Sequence, residues 1–561
     1  MAMVIQFDET KQKSRLSDLY KKEEEDLARM LSTKYGVDYI DLTRLAIETD
    51  ALKLTKEEEA RQTEIAAFKK VGKKLFVAMR APARDDSLQA IARLEKLGYE
   101  VRKFMTSTTS LEHAWNYYKD LSHASASEGG ILNISEEELQ KMASELKTIE
   151  DVRNNVGDSV ASKQAHKVSR ALEVILGGGL ALDASDIHIE PEESKIRVRY
   201  RLDGVLTDIL DFDHATSKLI TSRIKLLSGM KLNVNSTAQD GRFSVHVGES
   251  DVEIRSSIIP GNYGETLVMR LLDPARIGLP LEELGIDKFL LDIFLEEIRK
   301  PNGLILNTGP TGSGKTTTLY AFLKSVNKPG VKIITLENPV EYHLSGIVQT
   351  QITPTYTFAS GLRAILRQDP DVIMVGEIRD PEVASTATHA ALTGHLVFST
   401  LHTNNAAGTF PRLVDIGVQP EILGSAVNLV MAQRLVRKLC EHCRETTPIT
   451  GEAKQTVERI LANIPRPDVL PANRDTMWTA KGCEHCAGTG YKGRIAILEA
   501  ILMDEKVEEV VRHSPTELEI WRAALPQGIR RMAEHGLIKV LEGVTSLDEL
   551  GRVVNLEEQL R

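Results

Sequence analysis

Apolar positions recur at helical spacing over residues 14–35, where Leu16, Leu19, Leu27, Met30 and Leu31 form one stripe and Gly36 is placed to stop it. The Lys/Glu run from Lys21 to Asp26 inside that stretch reads as a solvated face. Leu75-Phe-Val-Ala-Met79 predicts a strand. A helix follows with Leu88, Ile91, Leu94 and Leu97 on one side and Gly98 ending it, and Tyr99 to Phe104 predicts the next strand. This order predicts a small α/β domain over about 25–120, within an N-terminal segment 1–120. The pattern lapses over 121–150. Ser122-His-Ala-Ser-Ala-Ser-Glu-Gly-Gly130 is small and polar and a charged helical stretch follows, so a linker is expected. Residues 151–272 alternate β-like runs such as Ile196-Arg-Val-Arg-Tyr200 with turn signals such as Asp203-Gly204, which predicts a second domain. No repeat of 20–50 residues is present, which excludes a solenoid.

In the remainder, 273–561, three segments predict strands: Gly303-Leu-Ile-Leu-Asn307, a short apolar run fit for a buried strand, then Val331-Lys-Ile-Ile-Thr-Leu336 and Asp371-Val-Ile-Met-Val375. The first leads into Gly309-Pro310-Thr311-Gly312-Ser313-Gly314-Lys315-Thr316, a complete G-x-x-x-x-G-K-[ST] motif, and Thr317 to Leu323 can start a helix. The glycines let the backbone turn its N–H groups towards phosphates at a helix N-terminus. Lys315 would pair with the β- and γ-phosphates, and the Thr316 hydroxyl would reach Mg²⁺. The second run ends in Glu337-Asn338-Pro339-Val340-Glu341, two carboxylates on one strand end. The third runs into Gly376-Glu377-Ile378-Arg379-Asp380. Glu377 stands where a general base would polarise the attacking water; a loop carboxylate paired to Arg379 is the plainer reading. Ligands of α/β sheets bind at the carboxyl ends of strands, so three such ends carrying polar residues converge on one site.

A net charge of −10 argues against a chain held on nucleic acid by overall positive charge, and no nucleic-acid module accompanies it. No run of about 18 apolar residues is present, and Met1 to Lys13 lacks the apolar core of a secretory signal. A cytoplasmic protein that reaches a membrane only through partners is therefore expected. The four cysteines form two C-x-x-C pairs, Cys440-Glu-His-Cys443 and Cys483-Glu-His-Cys486, with a long excursion over 444–482. Two such pairs can supply a closed thiolate set to Zn²⁺, with two redox pairs as the rival and His442 and His485 as competing ligands.

These motifs together resemble the type II secretion and type IV pilus-assembly ATPases, from about residue 25 to the end. Leu336-Glu337-Asn338-Pro339-Val340-Glu341 matches the acidic box of that family, with Asn338 where aspartate is usual. Asp369 to Asp380 matches its Walker B, and Thr393-Gly-His395 through His402-Thr-Asn404 its histidine box. Ala184 to Pro191, Arg199 to Gly204 and Gln239-Asp-Gly-Arg242 match landmarks of its second domain.

The resemblance implies an α/β multidomain chain: a docking domain, a PAS-like domain over 151–272, and a RecA-like P-loop ATPase domain over 273–561. The last would carry a tetracysteine zinc module at about 436–494 and C-terminal helices. It implies arginine fingers at Arg255 and Arg270, further site arginines at Arg363 and Arg367, and phosphate sensing or subunit contact by His395, His402 and Glu341. Glu337 would help hold Mg²⁺ with Thr316, and Thr317 would complete the nucleotide loop. ATP, Mg²⁺ and Zn²⁺ are the implied cofactors. A homo-hexamer driving an inner-membrane platform protein for pilus assembly is the implied machine, with type II secretion as the alternative. Retraction, a nucleic-acid motor and a non-catalytic ATP-binding scaffold rank below. No cyclic-dinucleotide repeat is evident at the N-terminus.

Overall fold

The computed structural model describes residues 23–45, 47–52, 54–122, 131–133, 145–160, 165–247, 250–272, 279–466, 470–513 and 516–557. The chain forms two compact units, one made by most of residues 1–272 and the other by 273–561 with two short segments, 146–149 and 202–205. No helix among the described residues is long and apolar enough to cross a membrane.

The first unit holds two sheets. Strands β1 (Asp38–Tyr39), β2 (Ile65–Val71), β3 (Lys74–Met79) and β4 (Glu100–Met105) form a sheet in the order β1-β4-β3-β2. Phe68, Trp115 and Leu42 pack in one core, and Val77, Ile91 and Leu94 in another. The expected strands and helix are present, the helix as Asp85–Lys96, but its buried face is turned. Ser87, Ala90, Ile91 and Leu94 face inward, whereas Leu88 and Leu97 are exposed. Small residues at 87 and 90 let the helix lie closer to the sheet than a leucine face would. Helix 23–35 likewise buries Ala28 and leaves Leu27 and Met30 exposed. Strand β2, which carries Ala66-Ala67, was not legible as apolar periodicity.

The second sheet contains β5 (Ile131–Asn133), β6 (Ala184–Pro191), β7 (Ile196–Leu202), β8 (Val205–Phe212), β9 (Gln239–Val247), β10 (Ser250–Gly261) and β11 (Gly264–Leu272), in the order β5-β9-β10-β11-β6-β7-β8. Along β7, Ile196, Val198, Tyr200 and Leu202 are buried and the arginines between them are not, the period of two expected of a half-buried strand. Asp203 and Gly204 both take positive φ (47° and 86°) in the β7–β8 turn, as a two-residue hairpin requires. The stretch expected as a linker is shorter than predicted. Helix Thr108–Ser122 runs past its start, Ile131–Asn133 pairs in parallel with Ser244–His246, and helix Ile149–Val160 begins before its end. A three-residue edge strand is too short to show a period. Its polar Ser122–Gly130 stretch (beyond Ser122) and the charged stretch over 134–144 lie outside the described residues.

The second unit is built on a seven-stranded sheet: β12 (Gly303–Thr308), β13 (Ile333–Glu337), β14 (Val348–Gln351), β15 (Val372–Val375), β16 (Leu396–Leu401), β17 (Val427–Leu439) and β20 (Tyr491–Leu502). Its order is β14-β13-β15-β16-β12-β17-β20. All neighbours are parallel except β20, which runs antiparallel to β17. Along β12, Leu304 and Leu306 enter one core and Ile305 the opposite one. Burial on both faces explains the unbroken apolar runs. A hairpin of β18 (Glu445–Pro448) and β19 (Thr476–Thr479) lies in the excursion between β17 and β20.

Candidate functional site

Strand β12 ends at Thr308, the loop Gly309–Gly314 follows, and helix Lys315–Val326 begins at the lysine. Two of the loop glycines are required by close approach. A Cβ on Gly309 would stand 2.6 Å from the Gln433 carbonyl oxygen, and one on Gly314 2.7 Å from the Gln433 side-chain nitrogen. Gly309 and Gly314 also take φ of 151° and 89°. The first-turn N–H groups of this helix have no i−4 acceptor and form a positive concavity. Pro310, Thr311 and Thr316 are exposed, Thr317 is half-buried, and the buried Ser313 hydroxyl has no hydrogen-bond partner among the described residues. Lys315 Nζ donates to the carbonyls of Gly309 (2.8 Å) and Pro310 (3.0 Å). Burial, with the nearby Arg434 charge, pulls its ammonium down to about 8, and the carboxylate of Glu377 acts in the opposite direction.

Strand β16 lies between β15 and β12, so the segments that follow all three reach the same edge. After β15, the amide of Gly376 donates to the Leu336 carbonyl (2.8 Å) and that of Ile378 to the Thr400 carbonyl (3.0 Å), which fixes Glu377 between them. Its Oε2 is 2.6 Å from Arg379 Nε and 3.5 Å from His402 Nε2. Glu377 is largely buried (side chain 15% exposed), whereas His402 is open to solvent (44%). The pairing to Arg379 named in the plainer reading is present, and the histidine joins it.

Glu337, at the end of β13, is 3% exposed. Its carboxylate accepts hydrogen bonds from the Tyr320 and Thr335 hydroxyls and from Gln349 Nε2 (3.2 Å). Glu341 is half-buried in the following loop. Arg363 is exposed and pairs with Glu382 of the next helix, and Arg367 is exposed beside it. The two histidines of the histidine box sit at opposite ends of β16. His395 precedes it, with Nδ1 3.1 Å from the Ala390 carbonyl, and His402 follows it at the phosphate-loop edge.

In the first unit, the register sets Arg242 of β9 opposite Arg255 of β10, Arg255 opposite Arg270 of β11, and Arg270 opposite Asp186 of β6. Directly opposed residues of antiparallel strands share a face, so three arginines and an aspartate form one row. Arg270 Nε is 3.0 Å from Asp186 Oδ1, and Arg255 Nε is 3.1 Å from Glu253 Oε1.

The four cysteines converge, with all their Sγ atoms within 4.8 Å of one another. The Cys440–Cys483, Cys443–Cys486 and Cys483–Cys486 separations are each 3.8 Å. That is the edge of a tetrahedron with metal–sulfur bonds of about 2.3 Å, and far longer than a disulfide. The amides of Cys483 and Gly490 both donate to Cys486 Sγ at 3.2 Å, the kind of outer contact that supports a thiolate ligand. The donor set fits Zn²⁺. The rings of His442 and His485 lie 4.0 Å apart, outside this thiol cluster.

Residues 161–552 match the sequence model of a family described as type II/IV secretion system protein. The chain belongs to that family. It is 46% identical over 390 residues to the type II secretion system protein E of Aeromonas hydrophila, covering 69% of this chain and 75% of that one. It is 36% identical over 532 residues to the type IV pilus assembly ATPase PilB of Myxococcus xanthus (strain DK1622), covering 94% of this chain and 91% of that one. Among solved structures, the Legionella pneumophila ATPase DotB shares the fold, with a TM-score of 0.50 at 22% identity over 68% of this chain and 94% of that one.

Within this type II/IV secretion system protein, the structure also brings to the site two residues that sequence reasoning missed. Gln433, 1% exposed, accepts from Asn307 Nδ2 (2.9 Å) and from the Thr318 hydroxyl (2.8 Å), which ties β12, the phosphate-loop helix and β17 together. Arg434 donates to the Asn404 carbonyl (2.8 Å), and its Nη1 would stand 3.0 Å from a Cβ on Gly309. The signal was a polar Gln-Arg pair inside the apolar run Val427–Leu439. Polar residues in such a strand mark either an edge or a site.

Proposed function

We propose that this chain is an ATP hydrolase that converts hydrolysis into mechanical work for type IV pilus assembly. It acts as a homo-hexameric ring at the cytoplasmic face of the inner membrane, driving a platform protein and the other pilus components. The observation that carries the enzymatic reading is Glu377, held against His402 at the strand edge that also bears Lys315. In this reading Glu377 takes the proton of the water that attacks the γ-phosphorus, while the bond to the β-phosphate oxygen breaks and ADP leaves. Lys315 and the loop amides of Gly309 to Thr317 hold the phosphates. The Thr316 hydroxyl would hold Mg²⁺, which when bound would supply charge neutralisation of the phosphates. Glu337, engaged by Tyr320, Thr335 and Gln349, fits the role of orienting the metal's surroundings. Arg255 and Arg270 are the finger candidates, Arg363 and Arg367 the further site arginines, and His395, His402 and Glu341 serve phosphate sensing or subunit contact. Zn²⁺ on Cys440, Cys443, Cys483 and Cys486 is structural.

Pilus assembly is favoured because the likeness to the pilus-assembly relative takes in the N-terminal domain, 94% of the chain. The higher identity to the type II secretion relative supports that machine as the second reading. The deciding experiment measures ATP turnover and particle mass for the wild type and Glu377→Gln. Turnover lost in the variant, in a six-subunit particle, supports the motor. Equal rates remove Glu377 from the mechanism, and absence of turnover in both leaves a nucleotide-binding scaffold. In a strain lacking the gene, loss of surface pili supports assembly, and loss of a secreted enzyme with pili intact supports secretion.

A further inference from the structure

Four consecutive residues after His402 are each tied to a different element. The Thr403 amide donates to the Thr308 hydroxyl at the end of β12 (2.8 Å), and the Asn404 carbonyl accepts from Arg434 of β17 (2.8 Å). Asn405 Nδ2 donates to Glu517 Oε2 at the start of helix Glu517–Ala524 (2.7 Å), and the Ala406 amide donates to Glu499 Oε1 of β20 (2.9 Å). The other oxygen of Glu499 accepts from the Met532 amide (2.9 Å), which opens helix Met532–Leu541. Glu499 is fully buried. Burial pushes its carboxyl up, opposed by the two amides and the charges of Arg531 and Arg434.

A buried carboxyl is a costly way to join two backbone amides, because its desolvation offsets much of what the bonds return. A residue of this kind is best explained by what it holds in place. Glu499 joins the helix Met532–Leu541 to the loop whose first residue, His402, meets Glu377. We propose that Glu499 is a positioning residue for ATP hydrolysis, holding loop 402–408 so that His402 stays in register with Glu377 and linking that loop to the C-terminal helices. The inference rests on the ATPase reading above, and it makes the loop a strap with one end at the chemistry and two anchors, the buried Glu499 on β20 and the exposed Glu517 at the start of helix Glu517–Ala524.

The test compares wild type, Glu499→Gln and Glu517→Ala, with Glu377→Gln alongside. Turnover is normalised to bound nucleotide, and hydrogen exchange is followed over 402–408. In Glu499→Gln one of the two acceptors becomes a donor. The expected result is a kcat lower by about tenfold or more with the KM for ATP within about threefold, because the phosphate loop is untouched. Exchange in loop 402–408 should become faster. Glu517→Ala, which changes only a surface anchor, should show the same split to a smaller degree and decides the matter if Glu499→Gln does not fold. A kcat within twofold of wild type in the folded variants overturns the proposal, as does a parallel loss of kcat and nucleotide binding. If the wild type itself does not turn over, or Glu377→Gln matches it, the ATPase reading has failed. Unchanged exchange over 402–408 in both variants then overturns the strap as well.

Discussion

His402 Nε2 lies 3.5 Å from Glu377 Oε2, although the two residues follow different strands of the sheet. The pair exists because β15 and β16 are parallel neighbours in register, Val375 beside Ser399, so that the residues just beyond them leave the sheet together. A histidine against the proposed base can orient it or report what it touches. His402→Ala should therefore lower kcat by about 10–100-fold while the KM for ATP changes by less than about threefold, since Lys315 and the loop amides are unaltered. Steady-state kinetics with single-turnover controls check this, and a matching rise in KM would assign His402 to binding instead.

The ammonium of Lys315 is held down to about 8 by burial and by Arg434. Phosphate binding requires the charged form, so the bound state takes up a proton that part of the free protein lacks. Affinity is full below pH 8 and falls as pH rises through it, approaching tenfold per pH unit. Calorimetry of nucleotide binding in buffers of different ionisation enthalpy should read about half a proton taken up at pH 8 and almost none at pH 6.5. Arg434→Gln removes one neighbouring cation and should move the midpoint upward. A midpoint that stays in place would show that burial alone sets it.

The tetracysteine geometry predicts about one zinc per chain in purified protein, with metal content measured by mass spectrometry. Cys443→Ser should lose the metal and lower the melting temperature by several degrees. Protein that holds no zinc and whose four thiols all react freely without loss of stability would return these residues to the redox reading.

Arg242 stands opposite Arg255 at the same height as Arg270. Like charges directly opposed in a sheet are unfavourable, so removing one should leave stability unchanged or slightly raised. If the row serves phosphates, activity moves the other way: Arg242→Gln should lower kcat/KM by about tenfold or more. Opposite signs in a melting curve and a kinetic assay separate this role from an ordinary structural ion pair, which would lose both together.

The parallel core of the second unit was legible because it is buried on both faces, and each strand ends in polar residues that mark the site edge. Lys315, Glu337 and Glu377 could all be read from that rule. Gln433, Arg434 and Glu499 could not. They sit inside apolar strands, where their polarity is the one local trace, and what gives them a role is pairing with elements distant in sequence, which that trace does not specify. The same holds for Arg242: its sequence shows a turn-like Gln-Asp-Gly-Arg, and only register aligns it with Arg255. Leu27, Met30, Leu88 and Leu97 failed in the other direction. Helical spacing placed them on a face, but small residues one step round the helix made the closer contact.

Strands β17 and β20 are an antiparallel pair whose last partners are Leu439 and Tyr491, and the cysteines begin at 440 and end at 486. Topologically, then, the thiol cluster is the turn of a hairpin. An ordinary hairpin closes with two to five residues; this one is closed by crossing its own long insertion at a point next to the strands. The cluster closes the far end of that hairpin beside Leu439, whose amide also donates to the Val544 carbonyl (2.8 Å), and Arg434 lies only a few residues further along the same strand. The cluster lies away from the phosphate loop in sequence and chemistry, yet it fastens the ribbon on which Gln433, Arg434 and Glu499 are carried.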